Sequence, residues 1–138
     1  MQDIDSILKF VSYKTGCDNV ALDSDIEEDL GCSADDFHEL IADYAKTFKV
    51  DMSSYLWYFH TVEEGGISSI GGSFFKPPYR KVSRIPITPA MLLDFAQKGK
   101  WDLIYPPHEI PKKRYDLLIN LIIILLFIGF LLYYYLIK

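Results

Sequence analysis

Residues 117–137 read LLINLIIILLFIGFLLYYYLI, twenty-one positions in which Asn120 is the only strongly polar side chain. A helix of a small soluble domain buries one stripe and leaves the rest to water, so it does not need apolar residues on every face. At ~1.5 Å per residue this run extends about 30 Å as a helix, which matches the hydrocarbon core of a bilayer. It is therefore expected to span a membrane, with lipid as its partner over residues 117–137. Tyr133, Tyr134 and Tyr135 stand near the far end and Tyr115 near the other, where phenol rings favour the interface. Lys112, Lys113 and Arg114 precede the run, and such a basic triplet stays on the cytoplasmic side, leaving Lys138 beyond the span. Asn120 has two readings: a hydrogen bond across a pair of helices, or contact with headgroups and water.

The charge ahead of this run is uneven. Residues 1–75 hold 15 Asp and Glu against 4 Lys and Arg, a net of −11, whereas residues 76–114 carry a net of +6. The acidic half would repel phosphates, so nucleic acid is not expected as a partner. The basic half adjoins the apolar run, where anionic lipid would attract it. Half of the 138 residues are hydrophobic and 15% are aromatic, enough for a packed core. Cys17 and Cys32 fit no metal-ligand spacing and follow no secretory signal, so free thiols in a reducing compartment are expected.

Three helices are predicted before the apolar one. Ile4, Ile7, Leu8 and Val11 repeat at helical spacing over residues 3–14, and Gly16 is a stop signal. An acidic loop follows, which Val20, Leu22, Ile26 and Leu30 can pin to a core. The second helix starts at Ser33 as N-cap, with Asp36 in a variant of the capping box and Phe37, Leu40, Ile41, Tyr44 and Phe48 as its apolar stripe. The aromatic stretch 53–60 suits a short helix or a strand. Residues 65–75, GGISSIGGSFF, read as a flexible turn or irregular hairpin, and Lys76-Pro77-Pro78 cannot be helical. The last soluble helix has Thr88 as N-cap, Pro89 at the first position, an Ile87–Leu92 staple, and Gly99 at its end. Trp101 is expected to fold back onto the core, and residues 105–111, YPPHEIP, to form a stiff extended spacer.

The stretch DLGCSADDFHELIADYAKTFKVD, residues 29–51, resembles the loop-to-helix junction of acyl carrier proteins, and ITPAMLLDFAQKGKW, residues 87–101, resembles their last helix. The likeness is closer to a bacterial group of carrier-like proteins, domain-of-unknown-function family 1493. These share the D-L-G start, the paired aspartates and a terminal G-x-W, and the likeness covers about residues 1–101. It implies a mainly α fold: an acyl-carrier-like small helical bundle with an irregular Gly/Pro-rich insert, here joined to one C-terminal transmembrane helix. The corresponding division is a soluble domain over 1–104, a Pro-rich basic linker over 105–114 and an anchor over 115–138. For a bacterial chain the membrane would be the cell inner membrane, crossed once. Carriers attach a 4'-phosphopantetheine arm to the serine of a D-S-L motif. Ala34 stands at that register and has no hydroxyl, and Asp35 replaces the leucine. Ser33 lies one residue earlier. It is either an ordinary N-cap or, with a register shift of one, the attachment site. Carriers present the acidic second helix to basic patches on partner proteins, and the likeness implies the same role for Asp35, Asp36, Glu39 and Asp43.

Catalytic patterns are not found. His38, His60 and His108 are the only histidines, and no H-E-x-x-H, P-loop or nucleophile elbow accompanies them. Cys32 and His38 lack a third group to orient a base. The acidic run from Asp23 to Asp29 lacks the spacing and glycine of a calcium loop and is expected to be solvated. The reading is a membrane-tethered, non-catalytic interaction domain without metal or cofactor. Its alternative is a working acyl or peptidyl carrier modified on Ser33.

Overall fold

A computed structural model describes residues 2–64 and 69–138. The chain is mainly helical, and no strand occurs among the described residues. Helix α1 spans Ile4–Thr15, α2 Ala34–Phe48, α3 Ile70–Phe74, α4 Pro89–Lys98 and α5 Tyr115–Ile137.

The boundaries of α1 and α4 follow from their caps. Asp3 accepts from Ser6 N–H at the start of α1, and Gly16 closes it in the left-handed region at φ 72°. Thr88 accepts from Met91 N–H at the start of α4, Pro89 takes the first position, and Gly99 ends the helix at φ 70°. Helix α1 packs against both α2 and α4. Their facing side chains form one core of Ile7, Val11, Phe37, Leu40, Tyr44 and Leu92, closed by Trp101, which is 1% exposed. Tyr44 is buried in the middle of it because its hydroxyl donates to the Leu92 carbonyl at 2.6 Å. The acidic loop is pinned by Ile26, whose side chain is buried and whose N–H donates to the Ile87 carbonyl at 3.0 Å.

Of the two alternatives for the aromatic stretch 53–60, the short helix is the nearer one: the stretch forms a single 3-10 turn over Trp57–Phe59 and no strand. Its rings crowd onto the core through Tyr58 and Phe59, so side-chain packing rather than a backbone ladder orders it. The glycine-rich segment is not an irregular hairpin where it is described. Residues Ile70–Phe74 form α3, capped by Ser69. Gly65 and Gly66, read as a turn, lie outside the described residues. Glycine at position 71 serves close approach, since a Cβ there would stand 1.9 Å from the Asp116 carbonyl oxygen of α5. The expectation that Lys76-Pro77-Pro78 cannot be helical changes at its last residue: a second 3-10 turn, Pro78–Arg80, starts on Pro78, where a proline's fixed φ and missing N–H are tolerated at a first helical position.

Helix α5 is 23 residues long and apolar enough to cross a membrane, and none of its apolar window is buried inside the molecule. Most of its Leu, Ile and Phe side chains are exposed, with Ile119 and Ile123 partly covered.

Candidate functional site

The predicted site residues gather at the start and along one edge of α2. Ser33 occupies the N-cap position but its side chain makes no capping hydrogen bond, and it is exposed. The ordinary capping role is therefore corrected. Ala34 sits at φ 51°, so the first turn departs from the usual N-cap path, and the Ala34 N–H is satisfied from outside by the Thr61 hydroxyl at 2.8 Å. The Ala34 side chain points into the domain at 8% exposed. A side chain at this register is thus turned away from solvent, and the exposed hydroxyl is one residue earlier.

Asp35 and Asp36 follow, exposed, in the first turn. Glu39 and Asp43 lie one and two turns further along, and the structure brings them together on Lys14 of α1. Glu39 meets the Lys14 ammonium at 3.1 Å, and Asp43 pairs with it at closer range. These two bonds raise the Lys14 pKa, and the Lys14 bond lowers that of Asp43. The four acids therefore divide. The inner two help tie α2 to α1, whereas Asp35 and Asp36 make no ion pair among the described residues.

Sequence reasoning missed a polar network behind this face. His60 is 1% exposed. Its Nδ1 lies 2.9 Å from the Ile85 carbonyl oxygen, which can only accept, so that nitrogen carries the proton. Its Nε2 then accepts from the Tyr105 hydroxyl at 2.7 Å. The same hydroxyl oxygen accepts from Trp101 Nε1 at 2.9 Å and from Leu56 N–H at 3.2 Å. Every polar atom in this chain of contacts is used, and burial pushes the His60 pKa down to about 4. A neutral, enclosed imidazole with both nitrogens engaged is a structural part. His108 reaches back in the same way, 2.8 Å from the Tyr58 hydroxyl. The spacer is thus docked through Tyr105 and His108 instead of standing free. The only signal for this in the sequence is the density of aromatic residues on both stretches.

Other reactive side chains are also engaged. Cys17 and Cys32 are free thiols, and burial pushes the Cys32 thiol up to about 11, with Asp36 and Glu27 adding to the effect. His38 meets the Trp57 ring edge-on at 5.5 Å and is half-buried. In the acidic loop Arg84 binds Asp25 at 2.5 Å and Glu28 at 2.9 Å, so part of that charge is neutralised.

The head of α5 forms a second cluster. Arg114 holds Glu63 through two contacts of 2.7 Å, and it holds Asp116 at 2.9 and 2.7 Å. Asn120 accepts from the Gly71 N–H at 2.8 Å. The one strongly polar residue of the apolar run therefore fastens α3 to α5 within the chain.

A model of the family described as protein of unknown function, DUF1493, matches residues 4–105. That interval holds α1 to α4 and ends on Tyr105, while α5 lies outside it. No curated protein and no solved structure matches the chain.

Proposed function

Since the chain belongs over residues 4–105 to DUF1493, a family described as of unknown function, we propose that it is a membrane-tethered, non-catalytic interaction domain. It offers the N-terminal edge of α2 to a basic patch on a protein partner. The tether is α5, whose uncovered apolar surface is far larger than a soluble monomer keeps in water. Lys112, Lys113 and Arg114 favour a single pass through the inner membrane with the folded part on the cytoplasmic side.

The observation that carries the docking face is the division among its four acids. Asp35 and Asp36 are exposed and unpaired among the described residues, on a helix held firmly from behind by Lys14 and the core. Charges left free on a rigid element meet a partner's cations without first breaking an internal bond. A photoreactive residue at exposed Ala42 on the intact chain in its own membrane tests this reading. One defined protein adduct is expected, and Asp35→Asn with Asp36→Asn should reduce it at least severalfold while leaving the fold intact. An adduct indifferent to both substitutions would overturn the proposal.

One observation favours the second reading, a carrier bearing 4'-phosphopantetheine: the Ser33 hydroxyl is exposed and free of any cap bond. Against it stand the inward-turned Ala34 at the carrier register and the charge of Asp35. Intact mass after incubation with coenzyme A and a broad-specificity phosphopantetheinyl transferase separates the two. An unmodified chain is expected. A mass gain abolished by Ser33→Ala would establish the carrier.

A further inference from the structure

Two stretches far apart in sequence bring four lysines to one cavity beside the head of α5. Lys76 and Lys81 come from the segment after α3, and Lys112 and Lys113 from the approach to α5. Together they line a space of about 280 Å³. All four are exposed, and none forms an ion pair or hydrogen bond among the described residues. The carboxylate that also lines the cavity, Asp116, is engaged by Arg114, which holds Glu63 as well. That trio sums to one negative charge against four positive ones. Four ammonium groups around one cavity repel each other, so the site favours an anion.

The walls select among anions. Phe75 and Tyr115 line the same cavity with ring centroids 5.4 Å apart, and each is close to half exposed. One turn after Tyr115 on α5, Leu118 is exposed as well. Beside them α3 exposes Ile70 and Phe74, four residues apart and hence on one face, at 53% and 74%. A free phosphate would satisfy the lysines but leave this apolar surface in water. A phospholipid presents a phosphate and an acyl chain side by side at the depth where α5 would enter a bilayer.

We propose that this cavity binds the phosphate of an anionic phospholipid headgroup, with the exposed face of α3 resting at the boundary between headgroups and acyl chains. The proposal rests on the membrane reading of α5.

The test uses the full chain, reconstituted in nanodiscs of mixed phosphatidylglycerol and phosphatidylcholine, then released into detergent for native mass spectrometry of retained lipid. Phosphatidylglycerol should be retained over phosphatidylcholine by on the order of tenfold. Lys76→Gln with Lys112→Gln should abolish the preference, and Lys98→Gln with Lys100→Gln, the same change of charge at the C-terminal end of α4 and outside the cavity lining, should not. Equal retention of the two lipids, or a preference unaffected by the first pair, would overturn the site. Displacement of the lipid by millimolar inorganic phosphate would overturn the lipid assignment in favour of a soluble anion. A chain that never enters nanodiscs or membranes would fail the membrane reading itself, whereas one that enters without a lipid preference fails only the cavity.

Discussion

His60 illustrates how a single side chain couples this fold to pH. Its unperturbed value is 6.5 and burial lowers it to about 4, so the folded state resists the proton that the unfolded state accepts. The contribution to stability is constant above pH 6.5 and is lost as pH falls towards 4, by up to roughly 3 kcal/mol over that window. Asp25 and Asp43 have lowered values, so their loss falls below the ordinary carboxylate range and follows at still lower pH. Urea titrations of the full chain in mild detergent, read by Trp fluorescence, should show a midpoint that declines between pH 7 and 4.5. His60→Gln should flatten that decline. A midpoint equally pH-dependent in both proteins would mean that His60 is not held neutral. Nothing in the sequence around His60 marks this role, since its partners Tyr105 and Ile85 lie 45 and 25 residues away.

At the scale of elements, α3 is the piece whose existence depends on another. Five residues with two glycines do not hold a helix alone in water. What holds it is contact with α5, made possible by Gly71 and fastened by the Asn120 side chain. Gly71→Ala places a methyl against a helix carbonyl that cannot yield, which costs about 1–3 kcal/mol locally. The expected outcome is a rise in amide exchange across Ile70–Phe74 with the core amides of α1, α2 and α4 unchanged. Asn120→Leu should act in the same direction by leaving the Gly71 N–H without its partner. Unchanged exchange in both variants would show that α3 stands without α5. The other helices were legible because each carries its own signals: apolar spacing for α1, α2 and α4, with Thr88-Pro89 and Gly99 bracketing α4. Helix α3 had no such pattern, and its glycines pointed to a turn.

At the scale of the whole molecule, the helical core is expected to fold without α5, whereas α3 packs on α5 at the junction between them. A chain ending at Pro111 keeps the packed residues of α1, α2 and α4 together with Trp101, Tyr105 and His108. It loses Arg114, Asp116 and Asn120, which secure Glu63 and Gly71. Such a chain should stay in the soluble fraction with a cooperative melting transition, while residues around α3 become accessible to limited proteolysis. Recovery with membranes would mean that something other than α5 anchors the protein. Loss of the cooperative transition would mean that the core needs the junction.

The apolar run was decided by composition alone, because a bilayer-length stretch without charge is costly to leave in water whatever surrounds it. The boundaries of α1 and α4 were likewise local, set by caps and glycines within a few residues of each end. The four acids of α2 could be placed on one helix from sequence, yet only packing divided them, because Lys14 comes from α1. The same holds for Ser33. A capping role is the local expectation, but the left-handed Ala34 and the distant Thr61 hydroxyl took over the start of the helix and left the serine exposed. The four lysines that face one cavity are split between residues 76–81 and 112–113. Their meeting, like the network around His60, required the chain to return on itself over tens of residues. Local pattern carries no record of such a return, since contacts of that kind depend on how whole elements pack.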